Sequence, residues 1–219
     1  MAFASKQVEL PDVRFQWLRL FVPKTYTNDR GEDQDKFEAT IIVEPDSESD
    51  KRIKAAIDEI AEEQFGPKWQ AVLKKIEQDN RNCYKSGDKK TNADGEIHDG
   101  FADMMFFRAS RDSARKGAPH SYNQFGERIT PTDFKEFTGD RRPPQNGDYG
   151  VVTINFWVLD GNANQGRRIV ADLELCMVTQ HGEPFTSGGV NADVAESMAA
   201  KYAKVAPPPE TPKVEGMQK

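Results

Sequence analysis

Only two cysteines occur in the 219-residue chain, Cys83 and Cys176, far apart and without a Cys-x-x-Cys pair. Neither a disulfide framework nor a zinc site is expected from them. Histidine is nearly as scarce. His98, His120 and His181 are scattered, each in a polar segment, which suits loop residues better than ligands. No apolar run approaches the roughly 20 residues that a membrane-spanning helix needs. The opening Met1-Ala2-Phe3-Ala4-Ser5-Lys6 lacks the continuous apolar core of a secretion signal, so a cytosolic protein is expected.

The motifs of common enzymes are missing too. There is no Gly-x-x-x-x-Gly-Lys-Ser/Thr loop and no Gly-x-Gly-x-x-Gly fingerprint to cradle phosphates. A Gly-x-Ser-x-Gly nucleophile elbow is absent as well. Asp94, Glu96, His98, Asp99 and Asp103 are the one cluster able to hold a hard cation, but their spacing misses the calcium-loop pattern. No second set of catalytic groups can be assembled beside them. The expectation is a protein without catalytic residues, metal or cofactor.

Charge is plentiful but unevenly spread. The chain carries a net charge of −6, with 30% charged and 37% hydrophobic residues. That balance argues against coating duplex DNA by charge alone. Residues 44–63 hold eight acidic against three basic side chains, whereas 104–118 hold four basic against one acidic. An acidic protein can therefore carry a local cationic track.

Between Cys83 and Phe125, rings and cations alternate at close range. Tyr84, Lys85, Lys89, Lys90, Phe106, Arg108, Arg111, Arg115, Lys116, Tyr122 and Phe125 all fall in this stretch. A solvated loop has no use for so many rings, and a core has no use for so many cations. Single-stranded nucleic acid needs both, because flat groups stack on bases while cations meet phosphates. Trp157, on the Thr153/Asn155 side of a strand, belongs with this set. Ordinary β-barrel packing is the plainer explanation for part of the aromatics.

Organisation follows from periodicity. Residues 13–22 read as a strand whose alternation sends Leu18, Leu20 and Val22 to the core. Phe15, Trp17, Arg19 and Phe21 then share the opposite face, which is either a wet binding surface or a core face with one snorkelling arginine. Asn28-Asp29-Arg30-Gly31 marks a turn, and residues 37–43 give a second strand with Phe37, Ala39, Ile41 and Val43 inward. Pro45-Asp46-Ser47 supplies caps for a helix beginning near Glu48, with Ile53, Ala56, Ile57, Ile60 and Ala61 on one stripe. Gly66-Pro67 breaks it, and Trp69, Val72, Leu73 and Ile76 give a second helix its apolar face.

Residues 80–100 look like a long loop or hairpin arm, and 104–109 like a third strand. Residues 114–144, punctuated by prolines, read as mostly irregular. A fourth strand over 151–159 points Val152, Ile154, Phe156 and Val158 inward. A fifth over 169–178 places Ile169, Ala171, Leu173, Leu175 and Met177 in phase, after a turn at Asp160-Gly161-Asn162. The pattern predicts a mostly β domain over 1–189 with a helical insertion over about 46–78. A short helix over 190–205 and a disordered tail over 206–219 follow. Five strands, helices after the second and long arms fit an OB-fold barrel, with a β-sandwich as the rival.

Motif order adds a resemblance. An amphipathic helix pair precedes Lys85-Ser86-Gly87-Asp88, then Asp94-Gly95, Gly100-Phe101 and Phe106-Phe107-Arg108-Ala109-Ser110. Asn146-Gly147-Asp148-Tyr149-Gly150, Asn155-Phe156-Trp157 and a closing His181-Gly182-Glu183-Pro184-Phe185 complete the series. Over about residues 10–186 this resembles a family of bacteriophage single-stranded DNA-binding proteins, related in shape to the gene-2.5-type replication proteins of podophages. The resemblance implies an OB-type barrel that coats single-stranded DNA during replication or recombination in the cytoplasm of an infected bacterium. Its expected partners are single-stranded DNA, phage replication or recombination proteins and further copies of itself. One departure stands out. Residues 206–219 carry Glu210 and Glu215 against Lys213 and Lys219 and no terminal aromatic, unlike the acidic recruiting tail of many replication proteins. A metal-dependent nuclease and a structural phage protein that does not bind DNA remain the alternatives.

Overall fold

The first strand is far longer than its apolar stretch predicts. In the computed structural model, which describes residues 3–28, 31–160 and 166–185, β1 runs over Ser5–Thr27. Its length follows from serving two neighbours. The first half pairs with β7 (Tyr149–Asp160) and the second with β2 (Asp33–Val43), both antiparallel. On its other side β2 pairs with β4 (Met105–Asp112), and β7 pairs with β8 (Arg167–Gln180). A parallel bridge, Ser110 to Asp172, joins β4 to β8 and closes the cycle. The result is the five-strand barrel that the alternation predicts, with the strand order of an OB fold.

Its interior is apolar. Leu10, Val13, Phe15, Ala39, Ile41, Phe107, Val152, Ile154, Phe156, Val158, Ile169 and Leu173 are all buried there. One end is covered by α1 (Glu48–Phe65) and α2 (Trp69–Gln78), joined by a 3-10 turn at Gly66–Lys68. Ser47 caps α1 by accepting from the amide of Asp50, as its hydroxyl allows. The whole predicted stripe from Ile53 to Ala61 is buried against the barrel.

Two strands depart from simple alternation. On β1 the pairing with β2 slips between Gln16 and Arg19 and again between Arg19 and Lys24. Each odd slip moves side chains to the other face. Phe15 therefore lies in the core with no exposure, Leu20 stays buried, and Val22 is 62% exposed. On β8 an extra residue, Glu174, opposes the step from Thr153 to Ile154. Cys176 and Val178 turn inward in consequence, and the predicted inward Leu175 and Met177 are only half-buried. The 114–144 region contains more order than expected. After the short helix α3 (Ser113–Lys116), a hairpin of β5 (His120–Tyr122) and β6 (Arg128–Ile129) adds to β8 in parallel. A two-residue strand, β3 (Lys85–Ser86), pairs with β4.

Close approaches fix the loop before β7. Gly147 has φ of +94°, and a Cβ there would sit 2.1 Å from the carbonyl oxygen of Glu183. The fully buried Asp148 accepts from both Arg142 Nη1 and Nη2, at 2.6 and 2.7 Å, and from the amides of Gln145 and Gly182. The expected turn after Asp160, the 190–205 helix and the 206–219 tail lie outside the described residues.

Candidate nucleic-acid interface

Every second residue of β4 faces out of the barrel, which puts Phe106, Arg108, Ser110 and Asp112 opposite the buried Phe107, Ala109 and Arg111. On β2 the matching outward set is Glu38, Thr40 and Ile42, paired in register with Ser110, Arg108 and Phe106. These two strands form the floor of a long cleft. It comprises four adjoining hollows of about 510, 580, 460 and 440 Å3 that share lining residues. Arg108 lines three of them, and Lys36, Ser110 and Arg168 carry the track on to Trp157 on β7. Among the described residues, ten basic side chains line this track against four acidic ones. The net-negative protein thus concentrates positive charge here.

One end of the cleft is aromatic. Trp17 sits at the first slip of β1 with φ of +50°, a strained conformation for a tryptophan, costing on the order of 1–3 kcal/mol. Bulges re-aim side chains, and this one turns Trp17 out of the β1 alternation towards the cleft. The ring stacks on Phe101 at 5.2 Å and meets His98 edge-on at 5.1 Å. Lys90 Nζ lies 5.0 Å from its centre. Phe106 packs edge-on against the same Phe101. Phe101 and Phe185 are buried beneath with Ile42, forming a small second core that supports the half-buried Trp17 and Phe106.

The middle of the cleft is polar. Glu38, 7% exposed, lies 2.8 and 2.7 Å from the hydroxyl of Tyr26 through its two oxygens. It also accepts from Arg108 Nη2 and pairs with Arg19 at 3.5 Å. Arg108 hydrogen-bonds the Tyr26 hydroxyl as well, and its guanidinium lies over the Tyr26 ring, 5.2 Å from the centre.

The residues singled out in the sequence divide between cleft, core and surface. Trp17, Arg19, Lys85, Lys89, Lys90, Phe106, Arg108, Arg115, Lys116 and Trp157 all line the track. Three others are corrected. Phe15 is core, because the slip in β1 separates it from Trp17. Tyr84 is 8% exposed and donates to Asp50 Oδ1 at 2.7 Å, tying the loop after α2 to the start of α1. Arg111 points into the barrel seam, donating to the carbonyls of Gly117, Lys116 and Leu173 and to Glu174. Phe21 stacks on Phe134 at 5.0 Å, and Tyr122 and the 61%-exposed Phe125 belong to the added hairpin. None of these last three lines the track. Tyr26, Glu38, Lys24, Lys36 and Arg168 are cleft residues that the pattern did not single out. Tyr26 and Lys24 follow the second slip of β1, and Glu38 and Lys36 lie on the outer side of a strand recognised by its inner one.

Local partners tune the cations. Burial lowers the Lys85 ammonium, which donates to the carbonyl of Asn80. Burial works the same way on Lys116, but hydrogen bonds to Asp172 and Glu174 outweigh it and hold its pKa above the ordinary value. Cys83, beside the track, is pushed up to about 12 by burial, so its thiol stays protonated and unreactive. Among the described residues, no group of three His, Cys, Asp or Glu side chains is placed to hold a metal ion. No described helix is long and apolar enough to cross a membrane.

The family model of the ssDNA-binding protein of Enterobacter phage Enc34 matches residues 6–203. The chain belongs to that family. Two solved structures of the bacteriophage Enc34 single-stranded DNA-binding protein share its fold at 20% identity. The one in complex with ssDNA has a TM-score of 0.55, covering 82% of this chain and 89% of that one. The other has a TM-score of 0.51, covering 87% and 89%. T7 gp2.5, a single-stranded DNA-binding protein, is more distant, at 12% identity and a TM-score of 0.47 over 93% and 100% of the two chains. No curated protein sequence matches.

Proposed function

We propose that this family member binds single-stranded DNA in the cleft over β2 and β4, without catalysis, and coats it during phage replication or recombination in the host cytoplasm. The observation that carries the reading is a continuous cationic track, supplied with rings, on the outer face of an acidic OB barrel. Trp17, Phe106 and Trp157 offer stacking surfaces, and Lys36, Lys89, Lys90 and Arg115 offer phosphate contacts. A sequence-tolerant binder needs just these two parts. Unpaired DNA exposes bases that a duplex hides, so binding favours the melted strand and removes hairpins by mass action.

The test is a mobility shift of labelled single-stranded oligonucleotide with and without magnesium. A shift without cleavage is expected. Cleavage would mark a nuclease, and neither would leave a structural protein. With about four to seven phosphates neutralised, log affinity against log salt should slope at roughly −3 to −5. A flat plot would remove the electrostatic half of the mechanism.

A further inference from the structure

We infer that Arg108 receives a base rather than a phosphate, and that Glu38 is the positioning residue that holds its guanidinium as a flat platform. The inference rests on the binding cleft proposed above and assigns the chemistry of its centre. Glu38 is an almost buried carboxylate in the floor of a cationic groove. A phosphate placed on Arg108 would approach this second negative charge, whose carboxylate is itself largely shielded from water. The charge of Arg108 is met by Glu38, a carboxylate it shares with the more distant Arg19, and one edge of the guanidinium is committed to Glu38 and Tyr26. Its side chain is nevertheless 52% exposed. An immobilised guanidinium plane whose charge is partly offset is a stacking surface, and the planar fork is what a lysine would lack.

Position supports the same role. Arg108 lines three of the four hollows, so a strand following the track crosses it. Phe106 projects from the same face two residues earlier, about 6.7 Å away along the strand. The two side chains offer neighbouring flat surfaces, one for each of two bases.

The experiment compares wild type, Arg108→Ala, Arg108→Lys and Glu38→Gln on an oligo-dT strand and on an abasic strand of equal length, over a salt series. For both Arg108 variants the expected result is a loss of about fivefold or more on oligo-dT with an unaltered salt slope; on the abasic strand Arg108→Lys should change nothing and Arg108→Ala should lose less than on oligo-dT. Glu38→Gln should also weaken oligo-dT binding, and its slope should steepen by about 0.7 as the released Arg108 becomes free to meet a phosphate. Retained affinity in Arg108→Lys, with Arg108→Ala losing equally on both strands and flattening the slope, overturns the inference. Tighter binding of both strands by Glu38→Gln overturns the positioning role. If a variant fails to fold, the Arg108 Nε–H resonance of the wild type decides. A ring-current shift with oligo-dT alone supports base stacking, and equal shifts with both strands refute it. Failure of the wild type to bind oligo-dT at low salt sinks the functional reading itself, whereas rescue by Arg108→Lys sinks only this inference.

Discussion

The two faces of β4 carry different chemistry on one short strand. Phe107 and Ala109 point inward with no exposure, and Phe107 meets Tyr84 and Phe156 ring to ring. Phe106 and Arg108, one residue out of step, face the cleft among charged side chains. Aromatic content alone therefore does not separate core from binding surface. What separates the two faces of this strand is the partner set: Phe107 meets the rings of Tyr84 and Phe156, whereas across the cleft Trp17 has Lys90 over its ring, and Tyr26 has Lys24 and Arg108.

Substitutions on the two faces can break this distinction. Phe107→Ala should cost about 3–5 kcal/mol of stability while leaving affinity per folded molecule unchanged, as paired denaturant melts and titrations would show. An affinity loss out of proportion to the unfolded fraction would mean that the inner face also reaches DNA. Tyr84→Phe tests a ring moved from cleft to core. It removes a hydrogen bond to a carboxylate, worth about 1.5–3 kcal/mol of stability, and should leave DNA binding alone.

That second variant also has a pH signature. Burial by itself would raise Asp50, but hydrogen bonds from Lys54, Tyr84 and the Asp46 amide outweigh it and hold its pKa below the ordinary 3.8. Stability from a depressed carboxylate is present above the unfolded value and lost as pH falls through the folded one. The gap between wild type and Tyr84→Phe should therefore narrow as pH drops below 3.8. A gap that stays constant in acid would assign the effect to packing.

On the outer face, Phe106→Ala should weaken single-stranded DNA binding by about 1–3 kcal/mol, with a smaller change in melting temperature than Phe107→Ala. The reverse ranking would place Phe106 in the core. The smallest expected effect is that of Lys89→Ala, which should leave stability unchanged and reduce the salt slope by about 0.7. An unchanged slope would remove Lys89 from the phosphate track.

Much of the barrel was legible because helices and straight strands write their periods openly. The α1 stripe and the inward set of β7 follow from the sequence residue by residue. The interface was harder for a physical reason. Bulges shift alternation by one residue, and nothing in Gln16-Trp17-Leu18-Arg19 announces that Trp17 adopts a positive φ. The extra residue Glu174 hides the inward turn of Cys176 in the same way. Tyr84 and Arg111 misled because their polar ends find partners inside, through Asp50 and Glu174. The β5–β6 hairpin leaves no mark in the sequence because strands of three and two residues are too short to show a period.

The parallel bridge between Ser110 and Asp172 has a kinetic consequence. Sealing the cylinder joins segments 62 residues apart, as the hydrogen bond from Arg111 to the Leu173 carbonyl across the same seam records. Such closure is entropically slow. With one backbone bridge there, the Arg111 side chain acts as a staple in place of a ladder. This seam should form last during folding and breathe first in the native state. Amide hydrogen exchange near Ser110 and Asp172 should outpace that of the β1–β2 ladder, making the seam the route by which the cylinder opens without unfolding.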